Sequence, residues 1–190
     1  MNAYLGITGT PGTGKKTLAP LVAARLEIPW RSLNDPAYSS GITRGRGHVT
    51  EVDPPKLGRL VSARVEPPCL LYGHLLPYAF GRKAFSKVVV LRCDPAVLKR
   101  RLANRGYETE KIIENVEAEL IGVIAADTVA AFGKVHVAEV DTSRASVSAS
   151  AAAVAGLLSS TDRSEPIDWI RSYGSAARLR SLLGSRTPSA

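Results

Sequence analysis

Gly9-Thr10-Pro11-Gly12-Thr13-Gly14-Lys15-Lys16-Thr17 is the stretch that decides how this chain folds. It follows the short apolar run Ala3-Tyr4-Leu5-Gly6-Ile7 and precedes an apolar helical pattern through Leu18, Leu21, Val22 and Leu26. A strand, a glycine-rich turn and a helix in that order make a phosphate cradle. The glycines let backbone N–H groups wrap an anion, and the helix N-terminus adds the positive end of its dipole. Gly9, Gly14 and Lys15 satisfy the P-loop pattern G-x-x-x-x-G-K-[ST] with one misfit: Lys16 holds the hydroxyl position, and Thr17 comes one residue later. An ordinary glycine-rich turn needs neither the lysine nor the flanking strand and helix. The stretch therefore reads as a nucleotide phosphate site, lined by Gly9, Pro11, Gly12, Thr13, Gly14, Lys15, Lys16 and Thr17.

Outward from this stretch, apolar runs of strand length alternate with helical patterns. Ile28–Leu33 is a short strand or extended segment. Asn34 to Val52 carries Pro, Gly, Ser and Arg in place of an apolar period, and a loop of that length is functional or mobile. Its Arg44 and Arg46 suit an acceptor phosphate or, equally, a solvated loop. Asp53 is a good cap for a helix whose first turn holds Pro54 and Pro55. Pro68–His74 and Lys87–Cys93 read as buried parallel strands, the second followed by an Asp94-Pro95 helix start running to about Asn104. Arg101 and Arg105 lie four apart on that helix if it persists so far. One long amphipathic helix is expected from about Thr109 to Phe132, ended by Gly133. A last strand, Lys134–Val140, and an alanine- and serine-rich helix, Thr142–Leu158, follow.

This order predicts an α/β, three-layer P-loop NTPase fold: a parallel five-stranded sheet flanked by helices, with the strand ends and the phosphate loop on one rim. The expected domain spans residues 1–174, with Ile167, Trp169, Ile170 and Tyr173 docking as a helical turn, and residues 175–190 form a disordered polar, basic tail. At 190 residues, 45% hydrophobic and 22% charged, the chain is long enough for one full core. The formal charge of +8 favours anionic partners such as nucleotides or RNA without choosing between them. Cys69 and Cys93 sit in apolar runs without metal-ligand spacing and read as reduced core residues. No apolar run reaches membrane-spanning length, and the N-terminus lacks a signal-peptide pattern, so the cytoplasm is expected.

Taken together, the phosphate loop, Val89-Val-Leu-Arg-Cys-Asp-Pro95, Arg101-Leu-Ala-Asn-Arg-Gly-Tyr107, Lys111-Ile-Ile-Glu-Asn-Val-Glu-Ala-Glu-Leu120 and Ile167-Asp-Trp-Ile-Arg-Ser-Tyr173 resemble the family of adenylate kinase isoenzyme 6, the coilin-interacting nuclear ATPase, and its archaeal counterparts. The likeness spans most of the chain and is weakest over Asn34–Val52. It implies a nucleoside monophosphate kinase-like architecture, with an ATP site at the phosphate loop, a nucleoside monophosphate-binding insertion at about residues 31–54 and a short lid at about 104–114. The activities it implies are adenylate kinase (ATP plus AMP to two ADP) and ATP hydrolysis, with Mg2+ as the cation. Assistance in small ribosomal subunit maturation, through ribosomal protein S11 and rRNA, is also implied by the resemblance alone. The chain departs from the family at Lys16, usually a threonine there, and at Tyr72, where the family carries an acid two residues before the histidine.

Phosphoryl transfer asks a protein for positioning and charge cancellation. On that basis Lys15 serves the β/γ-phosphates and the N–H groups of Gly12, Thr13 and Gly14 form the cradle. Thr17 serves the magnesium ion or the α/β-phosphates. Arg105 and Arg101 stabilise the transferring group by fixed charge and bidentate geometry. Arg101 equally fits a helix-surface charge, and His74 either faces the nucleotide or ends a strand. Val140-Asp141-Thr142 is expected to form part of the adenine wall. His136 reads as structural, His48 as a loop residue, Asp94 as a helix cap, and Arg92 as the partner of a buried acid or a lining residue. Three functions remain open: an adenylate kinase, an ATP-dependent ribosome-assembly factor with incidental kinase activity, and a degenerate nucleotide-binding module.

Overall fold

The computed structural model describes residues 3–35, 43–44 and 51–183. Five parallel strands form one sheet: β1 (Tyr4–Thr8), β2 (Trp30–Ser32), β5 (Leu70–Tyr72), β6 (Phe85–Arg92) and β7 (Val137–Asp141), in the spatial order β2-β5-β1-β6-β7. The first strand is thus central, and the phosphate loop leaves its carboxyl end in the middle of the rim where ligands of such sheets gather. A separate two-strand antiparallel ribbon pairs β3 (Thr43–Arg44) with β4 (Glu51–Val52). Arg44 is placed by its backbone pairing with Glu51. Arg46 and His48 lie outside the described residues.

The sheet is covered on both faces because its central strands are apolar on both sides, as parallel strands must be. On one face α1 (Lys15–Leu26) and α7 (Val147–Ser159) bury Leu18, Val22, Val154 and Leu158 against Ile7, Val89 and Leu91. On the other, α2 (Pro54–Ser62), α3 (Leu76–Ala79) and α6 (Val123–Phe132) enclose Leu57, Val61, Leu76 and Phe132 with Phe85, Val88 and Val90. The predicted start signals are present at two helices. Asp53 accepts from the Lys56 N–H at 3.0 Å, and Asp94 caps α4 (Pro95–Ala103) through the N–H groups of Ala96 and Val97. Leu21 of the expected apolar stripe instead faces outward, and Ala19 and Ala23 complete the buried face of α1.

Three expectations are corrected. The single helix over Thr109–Phe132 is two, α5 (Thr109–Leu120) and α6, broken at Gly122 with φ 70°. Beside the break the buried Arg92 guanidinium donates to the Glu119 carbonyl at 2.9 Å, at the end of α5. The tail also orders further than its composition suggests. Beyond α8 (Trp169–Tyr173), residues Ala176–Leu183 form α9 and bury Leu182 in a third cluster with Leu98, Leu102, Val116 and Trp169. Residues 184–190 lie outside the described part. The last strand is also shorter than expected, because residues Lys134–His136 form a 3-10 turn. Both cysteines are buried thiols, and among the described residues no helix is long and apolar enough to cross a membrane.

Candidate nucleotide site

The phosphate loop is built so that backbone, not side chain, faces its hollow. Gly9, Gly12 and Gly14 all hold positive φ (138°, 95° and 106°), a region where L side chains are strained. Space forbids a side chain as well at two of them: a Cβ at Gly9 would lie 2.3 Å from the Leu91 carbonyl, and one at Gly12 would lie 2.6 Å from Leu98. Gly14 begins α1 without a side-chain cap, so the first-turn N–H groups are offered outward, the arrangement that attracts an anion. Of the expected cradle, the Thr13 N–H turns inward to the Thr10 carbonyl at 3.2 Å. The Thr17 N–H likewise closes on the Gly14 carbonyl at 3.0 Å, so the N–H groups of Gly12, Gly14, Lys15 and Lys16 remain the candidates to meet an anion.

Lys15 folds back over this hollow, its ammonium donating to the Gly9 carbonyl at 2.5 Å and the Thr10 carbonyl at 3.0 Å. Burial pushes its pKa down to about 7; Glu119 opposes that shift and Arg105 adds to it. His74 is half-buried, and burial followed by the nearby Lys15 charge lowers its pKa. At neutral pH it is an uncharged hydrogen-bonding group.

Two cavities meet at the loop. One, of about 210 Å³, lies between the loop and the β7–α7 connection and is lined by Thr13, Leu18, Arg101, Thr142, Ala145 and Val147, among others. The other, of about 610 Å³, is lined by Pro11, Lys15, Lys16, Ser32, Asp35, Tyr72, Gly73, His74 and Tyr107, with Asn34 beside them. Gly12, Gly14, Thr17 and Arg105 line both. The structure therefore brings Lys15, Lys16, Thr17, His74 and Arg105 to one place from the loop, α1, the end of β5 and the turn after α4. Arg101 belongs to the smaller cavity. Its guanidinium donates to the Thr142 carbonyl at 2.7 Å and lies 3.3 Å from the Cys93 sulfur. Within the expected adenine wall only Thr142 lines that cavity, and its hydroxyl lies 2.8 Å from the Thr13 carbonyl. Tyr72 is buried, with its ring centroid 5.9 Å from that of Trp30 and the two rings tilted by 48°.

Asp35, Tyr107 and Glu119 escaped the sequence reading as site residues. Asp35 lies at the edge of a stretch with no period to place it. Glu119 had a usable signal: with Asn115 it interrupts the stripe Ile112, Val116, Leu120 on the buried face of α5. A fully buried carboxylate on an apolar stripe needs partners, and one of them is the Thr10 hydroxyl at 2.6 Å.

Comparison with known proteins agrees with this geometry. Residues 5–122 match the AAA_18 family of AAA domains. A relative from Natronomonas pharaonis, named "Putative adenylate kinase", is 35% identical over 155 residues, covering 81% of this chain and 89% of that one. One of the same name from Pyrococcus abyssi is 34% identical over 175 residues, covering 89% and 92%. Among solved structures, shikimate kinase from Bacteroides thetaiotaomicron (TM-score 0.53, 20% identity, 83% of this chain and 99% of that one) shares the fold. A gluconokinase from Sinorhizobium meliloti shares it too (TM-score 0.54, 15% identity, 83% and 92%). With a phosphate loop on the central strand, a parallel five-stranded sheet and this level of identity over most of its length, the chain belongs to the AAA_18 family and, within it, to the archaeal "Putative adenylate kinase" group.

Proposed function

We propose that the chain is a nucleoside monophosphate kinase that transfers the γ-phosphoryl group of ATP to AMP. The observation that carries this reading is the pair of cavities that abut at Gly12, Gly14, Thr17 and Arg105, one on each side of the phosphate loop. A site for hydrolysis alone needs only one nucleotide pocket. The smaller cavity, walled by Thr142, Ala145 and Val147, suits the ATP base and ribose. The larger, polar one suits the triphosphate end and the acceptor. The names of the relatives support adenine nucleotides as the pair.

In this reading the Lys15 ammonium exchanges the Gly9 and Thr10 carbonyls for oxygens of the β- and γ-phosphates. The N–H groups of Gly12 and Gly14 hold the same phosphates without reorganising, since their backbone is already set. Arg105, exposed on the turn after α4 and lining both cavities, closes on the phosphoryl group in flight. Neutral His74 accepts or donates a hydrogen bond at the acceptor side. Mg2+ would offset phosphate charge. The Thr17 hydroxyl and the Asp35 carboxylate, both lining the larger cavity, are donors suited to it or to its waters. A second reading, slow turnover in the service of an assembly role, is favoured by the buried Tyr72, which stands where the resemblance implies an acid. A ribosomal protein S11 or rRNA partner within it rests on the family resemblance.

Two results test the reading. Because free Lys15 titrates at about 7 and must be charged to meet the triphosphate, kcat/KM for ATP should be highest below that pH. It should fall about tenfold per pH unit above it, while kcat, set by the nucleotide-bound enzyme, keeps a higher alkaline limit. Glu119, which raises it, and Arg105, which lowers it, are the charged groups that tune this limit from neighbouring elements. The pH–rate profiles check it. Second, Tyr72→Asp should raise kcat by roughly tenfold, the scale of outer-shell carboxylates around a metal. The thermal midpoint should drop, because a ring packed on Trp30 is lost. An unchanged kcat would mean that Asp35 and the triphosphate already suffice.

A further inference from the structure

Glu119, 2% exposed, is the meeting point of four segments. Its Oε2 accepts from the Thr10 hydroxyl of the phosphate loop at 2.6 Å. Its Oε1 accepts from Arg92 Nε of β6 at 2.8 Å, from the Cys93 N–H at 3.0 Å and from the indole Nε1–H of Trp169 at 3.1 Å. Arg92 extends the cluster, donating to Glu139 at 2.5 Å and to the Ile167 carbonyl at 3.0 Å, and the Ile167 N–H donates to the same Glu139 oxygen at 3.3 Å. Residues 167–169 therefore touch both buried carboxylates. On the other side, the Thr10 carbonyl accepts from Lys15 and from the Thr13 hydroxyl. Hydrogen bonds thus join Trp169 to Glu119 and Glu119 to the Thr10 hydroxyl, and the main-chain carbonyl of the same Thr10 accepts from Lys15.

A buried carboxylate is tolerated only when its lone pairs are filled, and removing one donor redistributes it among the rest. The indole is one of four donors here, and the phosphate loop supplies another. A change in either must be felt by the other, since the Glu119 side chain has no solvent to turn to.

We propose that Glu119 is a positioning residue for the phosphate loop and that the C-terminal segment Ile167–Trp169 completes it, so that the seating of Trp169 and the occupation of the phosphate site are coupled. The coupling rests on the nucleotide site proposed above. Residues 167–169 are in this view a part of the kinase machinery delivered from the far end of the chain.

The test uses the full-length protein, whose two tryptophans, Trp30 and Trp169, give two indole N–H resonances separable with Trp30→Phe. Thr10→Val keeps the side-chain shape and deletes the hydroxyl, whereas Thr10→Ser keeps the hydroxyl. The expected result is a Trp169 resonance displaced by Thr10→Val, restored by Thr10→Ser and displaced again by saturating Mg-ATP. The KM for ATP should rise about tenfold in Thr10→Val, the scale of one hydrogen bond to a charged group, and return to within about twofold in Thr10→Ser. A Trp169 resonance unmoved by Thr10→Val overturns the proposal. So does ATP binding, measured by calorimetry on the same sample, that leaves the resonance where it was. Absence of any binding heat overturns the nucleotide reading instead, and the Thr10→Val arm then decides the link between loop and segment by itself.

Discussion

Lys15→Ala lowers the rate of ADP formation from ATP and AMP by about a thousandfold, the upper range for removing one preorganised donor from a transition state. The fold survives the change. Lys15 is held where burial works against its charge, which is what a pKa lowered to about 7 means, so the side chain is a burden on the empty protein. Its ammonium donates to the Gly9 and Thr10 carbonyls, and the latter also accepts from Thr13. The thermal midpoint of Lys15→Ala should therefore match or exceed that of the wild type. That combination, dead enzyme and intact fold, distinguishes a phosphate-binding lysine from a structural one. Near-full activity in this variant would refute the assignment of the site.

Arg105→Ala lowers kcat by about a hundredfold to a thousandfold, and Arg105→Lys recovers little of it, because an ammonium cannot reproduce a planar two-pronged contact. Arg105 is exposed on the turn after α4 and lines both cavities, so it is free to close and costs no core packing when removed. ATP affinity should fall far less than kcat, since the loop holds the phosphates without it. Comparing kcat with the ATP dissociation constant checks this split. A variant that loses affinity and rate equally would make Arg105 a ground-state ligand. Arg101 provides the contrast: tied to the Thr142 carbonyl beside the smaller cavity, it belongs to the wall of that pocket.

The phosphate loop was legible because it needs unusual residues at set spacing: three glycines at positive φ and a lysine beside them. The strands were legible too, since central parallel strands such as Val88–Leu91 must be apolar on both faces. The helix break at Gly122 was not, because apolar periodicity runs on through Val123 and Ile124 and an isolated glycine does not by itself end a helix. Helix α9 was hidden by its arginines, although Leu179, Leu182 and Leu183 recur at helical spacing and pack against the cluster that holds Trp169. Glu119 was visible only as a polar interruption of an apolar stripe. What it holds depends on long-range contacts to Thr10 and Trp169 that no local pattern contains. The bounds of the acceptor region stay an expectation from resemblance, since much of residues 31–54 lies outside the described part.

In the proposed reaction two nucleotides meet at one loop and exchange a phosphoryl group. Its most direct test incubates the purified protein with Mg-ATP, with and without AMP, and separates the products by chromatography. The account predicts ADP formation that requires AMP, with two ADP formed for each AMP consumed and little free phosphate. ATP loss at the same rate without AMP, matched by released phosphate, would contradict it.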